Sequence, residues 1–367
     1  MMPRFEEKNE MKKVAVVLHG LGANGIDTLF ANLSYKWDYD KFEITYLVAV
    51  DEGAEQFWEP IVTKNGVRVI HLHDLDKNRL FKWPSTLKKA LKKYGPFDAV
   101  HVNMDMLNGI NALVAKKAGI PIRICHAHRS SSENAENKIK NLYISFMRKL
   151  TKKYATKCIA CSDVAGDYFF SDIKYDILYN GIDIDKYRCD NKAVSGGTTF
   201  VTVGRFSPPK RPLFIIQLFD EILKRKPDAK LRWVGNGELF DAVKQQAEEL
   251  EILDRVELLG VRNDVNEILK ASDYFLLPSA FEGLSLALAE AQAAGLDCFV
   301  SDTVSKMSDC GKCMFISLKK SASEWADLIC TYIDGDTRMV IDTEKLADFD
   351  ITEMAKKLEK FYASKSF

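Results

Sequence analysis

The chain has 367 residues, 47% apolar and 28% charged, an ordinary composition for a globular protein and enough length for two domains with separate cores. Lys plus Arg and Asp plus Glu both total 52, so no net field draws the molecule as a whole to nucleic acid. No run approaches the ~18 apolar residues of a membrane span, and the start shows no signal-peptide core.

Residues 1–10 are polar and precede a second Met-Lys-Lys start at Met11, so they read as a disordered tail. From there short apolar runs alternate with amphipathic segments, the pattern of a parallel sheet covered on both faces. Strands are predicted at 14–19, 44–50, 67–71, 99–103, 123–126 and 157–161, with a short extended piece at 177–179. Ligands of such sheets bind at the carboxyl ends of strands, so the residues just after each strand carry the chemistry.

After the first strand, Gly20-Leu21-Gly22-Ala23-Asn24-Gly25 opens a helix predicted at 26–35 and satisfies the dinucleotide fingerprint; Asp51 ends the next strand, where a ribose-binding acid would sit. The same glycines also suit a plain tight turn. His126 and His128 end the fifth strand, on one face if the strand runs that far. No third ligand follows, so a metal site is not expected there. Residues 138–157 interleave seven Lys or Arg with Leu142, Ile144, Phe146, Met147 and Leu150. That is a helix with one buried face, or a contact with an anionic leaflet or a lipid diphosphate.

Eight cysteines include two Cys-x-x-Cys pairs, Cys158/Cys161 and Cys310/Cys313. They lie in different halves of the chain, far beyond the ~15–20 residues a zinc ribbon wants. They read as structural thiols of a reducing, cytoplasmic compartment.

Asn180-Gly181-Ile182-Asp183 is a turn signal, and the polar stretch through Gly197 marks the domain boundary. The strand pattern then restarts at 199–203, 230–234, 256–259, 274–277, 298–301 and 314–316. Two consecutive units of this kind imply two Rossmann-like domains facing a central cleft. Residues 351–362 read as a final amphipathic helix.

In the second half, Gly204 and Arg205 follow a strand and lead through Pro208-Pro209 to Lys210 and Arg211. Two cations at a strand end are costly to bury unless an anion meets them, and they suit a departing diphosphate. Arg211 reads as a solvated turn residue. Gly235 in Gly235-Asn236-Gly237-Glu238 precedes another helix, and Gly260 with Val261 would let a flat base approach the backbone.

The most informative stretch is 281–295, where Glu282 and Gly283 precede a buried helix bearing Glu290. An open helix N-terminus suits phosphate oxygens, and a carboxylate beside it accepts from hydroxyls; together they suggest a nucleotide sugar. Were the helix to span both acids, they would lie ~12 Å apart along its axis. A hydrolytic pair needs about 5–9.5 Å, so these acids grip different parts of one ligand.

Taken together, these motifs resemble the retaining glycosyltransferases of family 4, with the two-domain GT-B fold, especially those of bacterial capsule and exopolysaccharide synthesis. Glu282-x7-Glu290 is the strongest element; Gly204, Arg205 and Lys210, Asn180 to Asp183, and Gly235 to Glu238 support it. The resemblance implies that Glu282 holds sugar hydroxyls and Glu290 the ribose. Arg205 and Lys210 would hold the diphosphate, with the amides of Gly283, Leu284 and Ser285. Gly25 would close on phosphates or acceptor, although this chain has Asn24-Gly25 where the family has paired glycines. His128, or failing it His126, would sit near the reacting carbon.

The implied domains are an acceptor domain at 11–183, a donor domain at 184–350, and a helix at 351–367 returning to the first. The implied reaction moves a hexose-type unit from a nucleoside diphosphate sugar, UDP-linked by default, to a saccharide or lipid-linked saccharide, without metal or other cofactor. The place implied is the cytoplasm, with peripheral contact at the inner face of the membrane. Three readings compete with this. They are an NAD(P)-dependent oxidoreductase built on Gly20, Gly22, Gly25 and Asp51, a sugar-nucleotide epimerase of the same fold, and a non-catalytic scaffold.

Overall fold

The computed structural model describes residues 11–73, 75, 79–128, 138–189, 198–335 and 337–364. The expected tail at 1–10 and most of the polar stretch before Gly197 lie outside these residues. Contacts divide the chain into one unit of Met1–Asn180 with Ile351–Phe367 and a second of Gly181–Asp350.

The first unit runs β1 (Lys12–Leu18), α1 (Gly25–Leu33), β2 (Phe42–Val48), α2 (Glu59–Lys64), β3 (Arg68–His71) and α3 (Trp83–Tyr94). It continues with β4 (Ala99–Val102), α4 (Asn108–Lys117), β5 (Ile122–Ala127), α5 (Lys138–Tyr154), β6 (Lys157–Ala160), α6 (Asp163–Phe169) and β7 (Asp176–Ile177). All strands pair in parallel, in the order β3-β2-β1-β4-β5-β6-β7. Alternation along β1 sets the layers. Val14, Val16 and Leu18 join a core with Leu29, Phe30 and Val62, whereas Ala15 and Val17 face Trp83, Leu87 and Val114. The last helix, α14 (Ile351–Ala363), belongs to the first of these cores through Ile351, Met354, Leu358 and Tyr362.

The second unit runs α7 (Ile184–Tyr187), β8 (Thr199–Val203), α8 (Pro212–Arg225), β9 (Lys230–Val234), α9 (Phe240–Glu249), β10 (Val256–Gly260) and α10 (Val265–Lys270). Then come β11 (Tyr274–Leu277), α11 (Leu286–Ala293), β12 (Asp297–Ser301), β13 (Cys313–Ile316), α12 (Ala322–Asp334) and α13 (Thr343–Ala347). The parallel order is β10-β9-β8-β11-β12-β13, so the winding reverses between β8 and β11. That reversal opens a crevice at the carboxyl ends of these two strands. Ile182 pairs with Asp350 and its amide donates to Phe349, so the two ends of this unit lie side by side.

Several expectations are corrected. The helix that Gly283 was expected to open directly begins only at Leu286, because Ser285 Oγ accepts from the Leu288 amide and caps it. Glu282 is extended, in a bridge with Val304, so only Glu290 is helical and the axial-separation argument does not apply. The helix after Gly235 begins only at Phe240. Arg211 is not a solvated turn residue. It holds φ +51°, lies over the Phe214 ring at 4.2 Å, and has a buried guanidinium nitrogen without a partner among the described residues.

Candidate active site

In the second unit the loops after β8, β9 and β10 lock together through their backbones. The Gly204 amide donates to Val234 and the Gly235 amide to Gly260. Gly235 has φ +142°, and a Cβ there would lie 2.0 Å from the Gly204 carbonyl oxygen, so only glycine fits. Phe206, fully buried, stacks on Trp233 at 4.3 Å, and its backbone bonds to Asn236 and Leu239. Gly204 and Arg205 are thereby fixed at the mouth of the crevice.

Across the crevice, the loop after β11 is tied to the same turn by the Ala280 amide, which donates to the Pro209 carbonyl at 2.7 Å. This brings Glu282 to Lys210, and the two side chains form an ion pair while only 14% and 24% exposed. Gly204, Arg205 and Lys210 line one hollow of about 210 Å³ with Thr202, Trp233 and Ser279. Trp233 Nε1 and Ser279 Oγ are buried there without a partner among the described residues. Arg205 is 72% exposed and pairs with Glu238 at 3.2 Å. Four of the predicted residues therefore meet: Gly204, Arg205, Lys210 and Glu282. Gly235 and Gly260 buttress them from behind, and Val261 is exposed beyond the end of β10.

The amides expected to meet phosphate divide. Ser285 donates its own to Ser308 Oγ at 3.0 Å, so it is committed within the protein. The amides of Gly283 and Leu284 have no acceptor among the described residues. Ser308 follows β12, and no local pattern marks it in the sequence.

Glu290 lies on α11, 7% exposed, where burial pushes its carboxyl up to about 7 against the pull of a hydrogen bond from Tyr187 and of nearby Lys186. The sign follows directly: a carboxyl easier to protonate folded than unfolded destabilises the fold as pH rises from about 4.5 to about 7. Glu290→Gln should therefore stabilise the fold relative to wild type by an amount that grows between pH 4.5 and 7, on the order of 1–3 kcal/mol at the upper end, and raise the melting temperature accordingly. Melting curves across that range check it; a pH-independent difference would exclude a strained carboxylate.

In the first unit the glycine loop spends its polar groups internally. Asn24 caps α1, its Oδ1 accepting from the Ile26 and Asp27 amides. The Gly22 amide donates to Asp27 Oδ2 at 2.7 Å and the Leu21 amide to Gln56 Oε1 at 2.8 Å. Burial pushes Asp27 up to about 7. A carboxylate thus occupies the place a pyrophosphate would take, which disfavours the dinucleotide reading, and Asp51 pairs with Arg79. Gly25 is exposed, with open space around it.

His126 is fully buried and bonds His101 through Nδ1 at 3.2 Å, while His101 meets the Tyr362 hydroxyl at 2.8 Å. His128 is the more accessible, its ring 4.0 Å from that of His126. Its nitrogens face Asn103 Oδ1 at 2.9 Å and Asn180 Oδ1 at 3.1 Å. Burial brings His128 down to about 4. A neutral ring carries one N–H, so one of these two carboxamides turns its NH2 towards it. Neither asparagine was singled out as a partner from sequence; both read there as strand-end and turn residues.

Burial pushes the Cys158 and Cys161 thiols up to about 12, away from metal-binding or nucleophilic thiolate. Among the described residues no His, Cys, Asp and Glu cluster could hold a metal, and no helix is long and apolar enough to cross a membrane.

Comparison with known families accounts for both units. Residues 23–186 match the model described as Glycosyltransferase Family 4, and residues 183–335 that described as Glycosyl transferases group 1. The chain belongs to glycosyltransferase family 4. A similar protein is the putative glycosyltransferase EpsF of Bacillus subtilis, 29% identical over 88% of each chain. Another is the UDP-Gal:alpha-D-GlcNAc-diphosphoundecaprenol alpha-1,3-galactosyltransferase of Escherichia coli, 29% identical over 69% of this chain and 67% of its own. Among solved structures, HepE of Anabaena in complex with UDP and glucose matches with a TM-score of 0.75 and 17% identity, over 95% of this chain and 98% of its own. The fold is the GT-B fold of these enzymes, built from two Rossmann-like units.

Proposed function

We propose that this glycosyltransferase moves a hexose-type sugar from a nucleoside diphosphate sugar to a hydroxyl of a saccharide or lipid-linked saccharide during surface polysaccharide synthesis. The observation that carries this is the convergence of Gly204, Arg205 and Lys210 on one hollow at the switch point of the second sheet, with Glu282 ion-paired to Lys210. UDP is the first nucleotide to test, because HepE was crystallised with it and the E. coli relative is named for a UDP sugar. That relative's name also supports a lipid-linked acceptor.

In this reading residues 184–350 bind the donor, 11–183 the acceptor, and 351–367 complete the acceptor domain. Arg205 and Lys210 meet the diphosphate, with the amides of Gly283 and Leu284. Glu282 accepts from sugar hydroxyls and Glu290 from the ribose. His128 contacts the sugar near its anomeric carbon, and Gly25 lets its loop approach the ligand. The anomeric C–O bond breaks with its electron pair going to the diphosphate oxygen. The acceptor oxygen bonds the same carbon on the same face, and its proton passes to the departing phosphate. The cations supply the charge stabilisation, so neither metal nor cofactor enters the reading. It places the protein in the cytoplasm, with residues 138–157 against an anionic leaflet.

Leaving-group charge grows towards the transition state, so Arg205→Ala should lower kcat by about tenfold or more with little change in donor affinity. Steady-state assays with UDP sugars, run with EDTA present, check both that and the metal-free reading. A variant with wild-type kcat would remove Arg205 from the site.

A further inference from the structure

Beside His128 the first unit buries two further imidazoles. His101 on β4 and His126 on β5 are fully buried, and His101 meets Phe30 of α1 and Tyr362 of α14. The same core is otherwise built from side chains such as Val14, Val16, Leu18 and Ile124, which would fill the space at no polar cost. Burial keeps the two rings neutral, bringing His101 down to about 3 and holding His126 well below the usual imidazole range. Each ring therefore carries one N–H, and the partners say where it sits.

The Tyr362 hydroxyl meets His101 Nδ1 at 2.8 Å, and His101 Nε2 meets His126 Nδ1 at 3.2 Å. If the phenol donates, His101 carries its proton on Nε2 and donates in turn to His126 Nδ1. His126 then carries its own proton on Nε2, an atom that is buried without a partner among the described residues. In the reverse order that nitrogen and the phenol hydrogen would both be orphaned, because His101 is the hydroxyl's one partner among the described residues. The first order is the less costly. Donors thus point one way, from α14 through β4 to β5, and the series ends beside His128, whose ring lies 4.0 Å from that of His126.

A second path joins the same groups. Asn103 Nδ2 donates to the His101 carbonyl at 3.4 Å, which turns Asn103 Oδ1 towards His128 Nε2 at 2.9 Å. His128 accordingly carries its proton on Nε2, and Asn180 presents its NH2 to Nδ1. Phe30 makes T-shaped contacts with the rings of both His101 and His128.

We infer that Tyr362, His101 and His126 are positioning residues that fix the ring of His128, a role that rests on the sugar contact proposed above for His128. All three are fully buried, so they act through His128 rather than on the ligand. The phenol delivered by the last helix sets the tautomer of His101, and His101 sets that of His126. The packed pair then holds His128 in one orientation against Phe30.

The whole protein has six histidines, few enough for nitrogen-15 NMR of labelled imidazoles. Wild type should show His101 and His126 as Nε2–H tautomers with bare Nδ1 atoms. Y362F keeps the ring in the core and removes the hydroxyl, so a second tautomer should appear at both histidines. Its turnover, read as UDP released from UDP-glucose and UDP-galactose, should fall by about tenfold with donor KM unchanged, the scale of losing a group that orients another. On an H128A background the same substitution should cost nothing further. Y46F is the control: its hydroxyl serves Trp37 and the Phe30 carbonyl in the same core, and kcat should stay as in wild type. The inference is overturned if wild-type His101 carries its proton on Nδ1, if Y362F turns over as fast as wild type, or if its loss multiplies with that of H128A. The first result needs no variant, so it decides even if Y362F fails to fold. An H128A enzyme with wild-type kcat would strike the sugar contact itself and this inference with it, whereas an impaired H128A beside an unimpaired Y362F strikes this inference alone.

Discussion

Replacing Lys210 by Met is expected to lower kcat for sugar transfer by about 10²–10³-fold, the usual effect of deleting one preorganised donor to developing negative charge. Met keeps an unbranched stem where that of Lys210 runs beside Gly204, so packing is largely preserved and the charge is what is lost. The ion pair with Glu282 matters here as well. In the free protein each neutralises the other in a half-buried setting; an arriving diphosphate competes for the ammonium and leaves the carboxylate to accept from sugar hydroxyls. Lys210→Met leaves Glu282 partly buried and alone, but solvent reaches both groups, so the stability loss should be only about 1 kcal/mol. Steady-state kinetics with a thermal melt separate the two effects. A variant within tenfold of wild-type kcat would sink the assignment of Lys210 to the leaving group.

The second large effect is expected at a residue with no side chain. Gly235→Ala places a Cβ 2.0 Å from the Gly204 carbonyl oxygen at φ +142°, so either the loop after β9 or the loop bearing Arg205 must move. Strain of this kind costs on the order of 1–3 kcal/mol before the clash is counted. Melting should fall by several degrees, and the surviving fold should lose activity because Gly204 and Arg205 shift. Gly260, with φ +65° and open space around it, is the internal comparison: Gly260→Ala meets conformational strain without a collision and should be the milder change. Equal losses from the two would refute the interlocked-loop explanation.

Both results depend on features that were unequally legible before any coordinates. The sheet topology was readable because its strands are buried on both faces and appear as short apolar runs separated by helical periodicity; β8, β9 and β11 were bounded as observed. That Gly204, Arg205, Lys210 and Glu282 lie near one another was readable because all four follow strands that meet at the switch point, a matter of topology that needs no side-chain detail. What escaped was every contact made over long sequence separation. Ser308 takes the Ser285 amide from beyond β12, and Tyr187 reaches Glu290 from a helix of only four residues. That the helix after Gly283 starts only at Leu286 escaped as well, because Glu282 extends into a bridge with Val304, a pairing with no local signature. The glycine fingerprint left the dinucleotide and tight-turn readings both open, and the contacts with Asp27 and Gln56 that favour the turn have no signature in the motif itself.

Helix α14 has one more consequence. The chain leaves the first unit after Asn180 and re-enters it at Ile351, and Tyr362 inserts its hydroxyl beside His101. The later unit is therefore one uninterrupted piece, whereas the earlier one waits for the ribosome to deliver its closing segment. During synthesis the half begun first is completed last, and until then His101 lacks its phenol partner.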